Sequence, residues 1–195
     1  MEPLGSNATV IRYAGYDKPT GMIIHTHARF SVQQDRYVEI PTEELKARFS
    51  KNAEIVAKLS NRDPHNLEYI QLDPGSATKR QGPMMVDPVH GKLVAKPRLA
   101  LSADKLQLAG DGQDTAKIEI SVLDESGNAM SGASGAVKIT TERGRLADRG
   151  GVVNLSQGRA ATTLTSVNET VSRVRVSAAS LDGSFCSAHV DFEFA

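Results

Sequence analysis

The chain has 195 residues and balances 23 basic against 23 acidic side chains, for a formal net charge of +0. That balance supplies no basic surface for nucleic acid or an anionic bilayer, and no stretch approaches the ~20 apolar residues of a membrane-spanning helix, so neither nucleic acid nor membrane insertion is expected. A single cysteine, Cys186, has nothing to pair with inside the chain, and 39% hydrophobic with 24% charged residues is the composition of an ordinary globular protein of one or two domains.

Residues 1–8 read as a tail, and the opening MEPLGSNATVIRY has neither the basic nor the apolar stretch of a secretion leader. Ala8–Tyr13 is a short strand, and Tyr16–Gly21 a turn. Met22–Val32 alternates as a strand, with Ile24, Thr26, Ala28 and Phe30 on one face and Ile23, His25, His27 and Arg29 on the other. Gln33–Arg36 connects it to a return strand, Tyr37–Ile40. A helix starts at Pro41–Leu45, with Thr42 as its cap and Glu43 and Glu44 at the positive end of its dipole. Leu45, Phe49, Ile55, Val56 and Leu59 keep helical spacing. Ser50-Lys51-Asn52 is expected to split the run, and Asn61–Pro64 to stop it. Leu67–Leu72 is another strand. Residues 1–73 therefore form a small α+β domain, marginal alone because so small a unit buries too little surface, and an anchor in a larger assembly is the role that fits it.

Residues 73–97 hold four of the eight prolines and three of the sixteen glycines. We read 74–96 as a linker or extended arm, whose apolar patch, Met84, Met85 and Val86, would make assembly contacts with a neighbouring subunit. Beyond it, short strands alternate with turn residues: Leu99–Ser102, Lys105–Leu108, Ala116–Leu123, Ala136–Thr141, Gly151–Leu155, Arg159–Ser166, Ser172–Ala179 and Ala188–Phe194. The cleanest is Ala116–Leu123, where Ala116, Ile118, Ile120 and Val122 share a face. Many short strands with turn signals between them make 97–195 a β-sandwich. The fold class is mainly β, a sandwich preceded by the small α+β domain.

Chemistry-bearing residues are sparse. His25 and His27 share a strand face and could reach one metal ion. Two nitrogens do not close a site, although copies in a trimer could complete one, so the pair is read as an exposed polar strand face. No metal or other cofactor is expected, and no catalytic residue. His65, His90 and His189 have no spaced acidic or nucleophilic partner. Asp111, Asp114, Asp124 and Asp182 have the oxygen chemistry for Ca²⁺, yet they sit where aspartates build turns. Ser126 and Ser131 precede glycines in turns and lack the strand–turn–helix setting of a nucleophile. Cys186 reads as a small, partly buried residue. The loops near Gly127, Asp148–Gly151, Asn168 and Asp182–Ser184 are where binding would reside.

Three stretches together carry a resemblance. Gly110-Asp111-Gly112-Gln113-Asp114-Thr115-Ala116-Lys117-Ile118-Glu119-Ile120-Ser121-Val122 runs on through Asp124 to Gly127-Asn128. Gly158-Arg159-Ala160-Ala161-Thr162-Thr163-Leu164-Thr165-Ser166 follows, and then Val174-Arg175-Val176-Ser177-Ala178. Residues 97–195 thus resemble the bacterial Ig-like domain of group 1, the invasin and intimin type, with Gly110 where the family usually has Ala. The resemblance implies a β-sandwich from exported adhesins. Combined with the leaderless opening, it leads to the expectation of a non-enzymatic bacteriophage virion component, a head or tail decoration assembled in the host cytoplasm. Other virion proteins and copies of itself would be its partners, and the Ig-like domain would bind cell surfaces or glycans weakly. The alternatives are a fragment of a bacterial surface adhesin, displayed outside the cell, and an N-terminal metal-dependent enzyme with an accessory Ig-like domain.

Overall fold

The structure, a computed structural model, describes residues 9–31, 42–72 and 83–195. It divides into two compact units, Met1–Ala95 and Lys96–Ala195. Both are built mainly from strands.

In the first unit, β1 (Thr9–Asp17), β2 (Met22–Ser31), β3 (Leu67–Leu72), β4 (Met84–Asp87) and β5 (Lys92–Ala95) form one sheet in the order β3-β1-β2-β4-β5. Two hairpins of the same design lie side by side. Asp17–Gly21 and Asp87–Gly91 each close with the glycine N–H donating to the aspartate carbonyl, at 2.7 and 2.8 Å. Each aspartate side chain then accepts from within its own turn, Asp17 from the Thr20 hydroxyl and Asp87 from the N–H of Val89 and His90. Gly21 adopts φ 68, and a Cβ there would stand 1.8 Å from the Val86 carbonyl oxygen. The contact exists because Val86 N–H donates to Gly21 O at 2.8 Å, joining the two hairpins.

This geometry corrects the reading of 74–96 as an arm over its described part, from residue 83 on. Met84–Asp87 and Lys92–Ala95 are paired strands of the first sheet, with Met22 opposite Met85. The prolines misled because Pro88 sits in the hairpin turn and Pro83 just before β4, where no ladder N–H is required. Residues 73–82 lie outside the described residues, as do the expected connection Gln33–Arg36 and return strand Tyr37–Ile40.

Helix α1 (Thr42–Leu59) runs unbroken through Ser50-Lys51-Asn52, against the expected split. The propensity cost of Ser and Asn is a few tenths of a kcal/mol, which an uninterrupted run of i→i−4 bonds outweighs. Its end is a Schellman motif: Asn61 is left-handed at φ 54, Arg62 N–H donates to Ala57 O and Asn61 N–H to Lys58 O. The helix packs Ala57 against Tyr13, Leu67, Tyr69 and Ile24. Beside this core, the Arg62 guanidinium lies 3.6 Å from the buried Asp17 carboxylate and fastens the first hairpin turn to the chain leaving the helix. β1 is longer than expected, because Tyr16 and Asp17 pair with β3 before the chain turns.

The second unit is a sandwich. β6 (Arg98–Ala103), β8 (Thr115–Leu123), β10 (Arg145–Leu146) and β12 (Arg159–Thr165) form a four-stranded sheet ordered β10-β12-β8-β6. Facing it is a five-stranded sheet, β11-β9-β13-β14-β7, made of β7 (Gln107–Leu108), β9 (Gly135–Thr141), β11 (Val152–Leu155), β13 (Val171–Ser180) and β14 (Ala188–Phe194). The faces of β8 fall as the alternation predicts: Ala116, Ile118, Ile120 and Val122 are buried, and Lys117 and Glu119 exposed. They meet Val137, Ile139, Val174, Val176, Phe192 and Phe194 from the other sheet in one continuous core. All eight strands expected from the sequence are present. The second begins later, at Gln107, and the two-residue β10 is an addition. The first two, β6 and β7, divide a single edge between sheets: β6 pairs with β8, whereas β7 runs parallel to β14.

Candidate functional site

Within the sandwich the chain enters and leaves at opposite poles. At the entry pole, Cys186 N–H donates to Pro97 O and Leu99 N–H to Cys186 O, beside the start of β14. At the other pole, Ala195 N–H donates to Leu108 O and Gly110 N–H to Ala195 O. The length of β14 separates them, seven residues or about 23 Å at strand rise. The exit pole carries the loops 109–114, 142–144 and 166–170; the entry pole carries 124–134, 156–158 and 181–187.

The aspartates in these loops are builders of turns. Asp111 accepts from Gln113 N–H at 2.8 Å, Asp114 N–H at 2.9 Å and the Ser166 hydroxyl at 3.4 Å. The backbone donors hold its carboxyl below the usual range. Asp114 takes the Lys105 ammonium and the Ala109 N–H, and its carboxyl is lowered, first by Lys105. Asp124 is lowered chiefly by the Asn128 N–H. Asp182 accepts from Ser180, Ser184 N–H and the Ser184 hydroxyl. With these oxygens taken up by backbone, hydroxyl, amide and ammonium donors of their own turns and neighbours, the four do not converge on a Ca²⁺ position. Among the described residues no three His, Cys, Asp or Glu side chains gather as metal ligands.

Two surface features escaped the sequence reading. On the outer face of the five-stranded sheet, Arg173 and Arg175 share one carboxylate: Arg173 Nη2 lies 2.7 Å from Asp191 Oδ2, and Arg175 Nε donates to Asp191 Oδ1 at 3.0 Å. Hydrogen bonds from Arg175 and then Arg173 draw the Asp191 carboxyl down to about 2. The same ring of charge borders a recess of about 390 Å³ with Leu106, Gln107 and Glu193 at its rim. On the opposite sheet, small side chains leave a shallow concavity of about 380 Å³ among Ser102, Glu119, Ser121, Ala129, Arg159 and Ala161. The alternation of Arg173 and Arg175 was visible in the sequence. Their common partner needs the β13–β14 register, which places Arg175 opposite Asp191.

In the first unit, His25 is half-buried, which corrects its reading as part of an exposed face. Its ring lies across Gly15, where a Cβ would stand 2.6 Å from Nδ1, and it meets Tyr69 edge-on with centroids 6.2 Å apart. Burial, with a further contribution from Glu54, raises the Tyr69 phenol above its ordinary pKa. His27 pairs with Tyr13 in the ladder, and its side chain lies outside the described residues. Val86 is 0% exposed, so it is a buried residue with no surface left for an assembly contact. Met84 and Met85 are half-buried, and the Met85 methyl lies over Gly21. Cys186 is half-buried, with Sγ 3.8 Å from the Lys96 carbonyl. His90 Nδ1 meets Asp87 Oδ2 at 2.6 Å in the exposed hairpin turn, while His65 and His189 are exposed.

Two sheets closed over one apolar core, with turn-building carboxylates at both poles, define an Ig-like β-sandwich. Residues 98–194 match the family model described as invasin, domain 3. The second unit is an Ig-like domain of the invasin and intimin type. Among solved structures, the C-terminal 282-residue fragment of intimin, in complex with the intimin-binding domain of the translocated intimin receptor, is 26% identical with a TM-score of 0.40; the match covers 49% of this chain and 32% of that one. The Yersinia pseudotuberculosis adhesin InvE is 19% identical at a TM-score of 0.40, over 49% of this chain and 26% of its own. A glycosyl hydrolase family 2 member from Bacteroides cellulosilyticus aligns over 97% of this chain and 22% of its own, at 13% identity and a TM-score of 0.46. This chain therefore spans about a third or less of each of these proteins. No curated protein matches it.

Proposed function

We propose that this chain is part of a surface-displayed adhesive protein. In this reading the Ig-like unit is a rigid spacer and binding module, and residues 1–95 hold it in a larger assembly. The observation that carries the reading is the invasin-type match over 98–194. The in-line geometry supports it, because entry and exit at opposite poles let such a module extend a rod. Binding would reside on the exit-pole loops and outer sheet faces, since the core is filled by side chains.

A bacterial surface adhesin takes precedence over the virion setting, because the family match speaks for adhesive display and nothing in it points to a virus particle. The enzyme reading needs a pocket joining His25, His27 and a carboxylate, and His25 is packed instead between Gly15 and Tyr69. The test is an antibody to the full-length chain, applied to intact cells and to particles released by lysis, together with binding of the labelled chain to target cells. Signal on intact cells with saturable binding supports the adhesin. Signal confined to particles transfers the module to a virion. Neither display nor binding overturns the adhesive reading.

A further inference from the structure

We infer that Asn168 is an acceptor for a covalently attached glycan, an inference that rests on the surface-display reading. The loop reads Asn168-Glu169-Thr170, the pattern whose Asn carboxamide and +2 hydroxyl together serve as an N-glycan acceptor on exposed loops of exported proteins. All three residues are exposed, at the pole away from the chain's entry into the module. The loop is held from beneath: Ser166 N–H donates to Asp114 O at 2.9 Å and the Ser166 hydroxyl reaches Asp111, while Glu169 N–H closes on Val167 O. Those contacts leave the tripeptide side chains facing solvent.

A second tripeptide of the same pattern, Asn154-Leu155-Ser156, provides the contrast. Asn154 and Leu155 are in the β11 ladder opposite Ala136 and Gly135, and Leu155 is 6% exposed in the core. A transferase could bind that tripeptide only after Leu155 left the core. The folded chain therefore offers Asn168 and withholds Asn154. A third, Asn7-Ala8-Thr9, begins outside the described residues.

The chemistry is a glycosyl transfer from a phosphate-activated sugar supplied with a cellular transferase. A bond forms between Asn168 Nδ2 and the anomeric carbon, and the bond from that carbon to the donor phosphate oxygen breaks. The phosphate leaves with the electron pair, and the carboxamide nitrogen gives up one proton.

The test uses the full-length chain purified from the cells that carry its gene, analysed by intact mass and site-resolved peptide mapping. In parallel, the recombinant folded chain is incubated with UDP-glucose and a soluble N-glycosyltransferase. Sugar is expected on Asn168 in both arms, lost in Asn168→Gln and in Thr170→Val and kept in Asn154→Gln. Occupancy should exceed that at Asn154 by at least about tenfold, the factor made by ~1.4 kcal/mol of local opening. On the native chain, a single monosaccharide marks a nucleotide-linked donor and a preassembled oligosaccharide a lipid-linked one; both support the acceptor. An unmodified native chain that an antibody finds on intact cells overturns this inference alone. A chain neither displayed nor modified overturns it together with the surface reading. Equal modification of Asn154 and Asn168 in the folded chain overturns the accessibility argument on which the choice of Asn168 stands.

Discussion

Ile120 tests the sandwich at its centre. It is 1% exposed, faces the second sheet, and lies between Leu101 of β6 and Ala160 of β12 in the ladder. Ile120→Ala removes three carbons, worth ~2.4 kcal/mol at ~0.8 per buried methylene, and leaves a cavity that brings the total to about 3 kcal/mol. A unit of this size is expected to hold ~5–15 kcal/mol, so it should stay folded with its Tm lowered by ~12–24 °C. Ile120→Asp is more severe. A carboxyl at so buried a site has its pKa raised by ~3–5 units; at pH 7 the cost reaches about 4 kcal/mol, where protonation of the folded-state carboxyl caps it, in addition to the lost packing. The sum rivals the whole stability, and the variant should be unfolded at pH 7. Because its folded-state pKa would be raised, the penalty shrinks as pH falls towards the unfolded value near ~4. Glu119→Ala, one residue away on the outer face, should move stability by less than ~0.5 kcal/mol. The assay is urea unfolding of residues 96–195 followed by circular dichroism, with thermal melts alongside. Equal effects at positions 119 and 120, or a folded Ile120→Asp with an unchanged Tm, would refute the assignment of the inner face.

Other expectations follow from the same geometry. Gly158 adopts φ 72 and a Cβ there would stand 2.1 Å from the Met130 carbonyl oxygen, whereas Gly150, at φ 78, has open space. Gly150→Ala should cost the ~1–2 kcal/mol of left-handed backbone and Gly158→Ala clearly more, in parallel denaturant titrations. The Asp191 carboxyl sits at about 2 in the folded chain, below its unfolded value, so its contribution is present above that unfolded value and lost as pH falls towards about 2. Asp191→Asn should flatten that part of the stability–pH curve and leave the neutral limb shape unchanged. Asp17 is 4% exposed against Arg62. Arg62→Met should therefore strand a buried carboxylate at a cost of ~3–5 kcal/mol, read as loss of the first unit's unfolding transition with the second unit's retained.

Much of the second unit was legible along the chain because strand alternation is a local property. Side chains at i and i+2 share a face, so Ala116, Ile118, Ile120 and Val122 announce an inner surface before any partner is known. Its turns were equally local: Asp111 and Asp124 bond amides two to four residues away. The helix end at Asn61 and the start at Thr42 belong to the same short range. Periodicity does not say which strand lies beside which. The division of the first edge into β6 and β7, the common Asp191 of Arg173 and Arg175, and the stacking of His25 on Gly15 all depend on register between segments far apart in sequence. The proline-rich stretch shows the limit most sharply. Met84–Asp87 and Lys92–Ala95 are too short to display a period of their own, and they become strands because they pair with each other, with β4 set beside the edge of β2. Backbone pairing is a contact between two segments, so its energy appears only when tertiary structure brings both together.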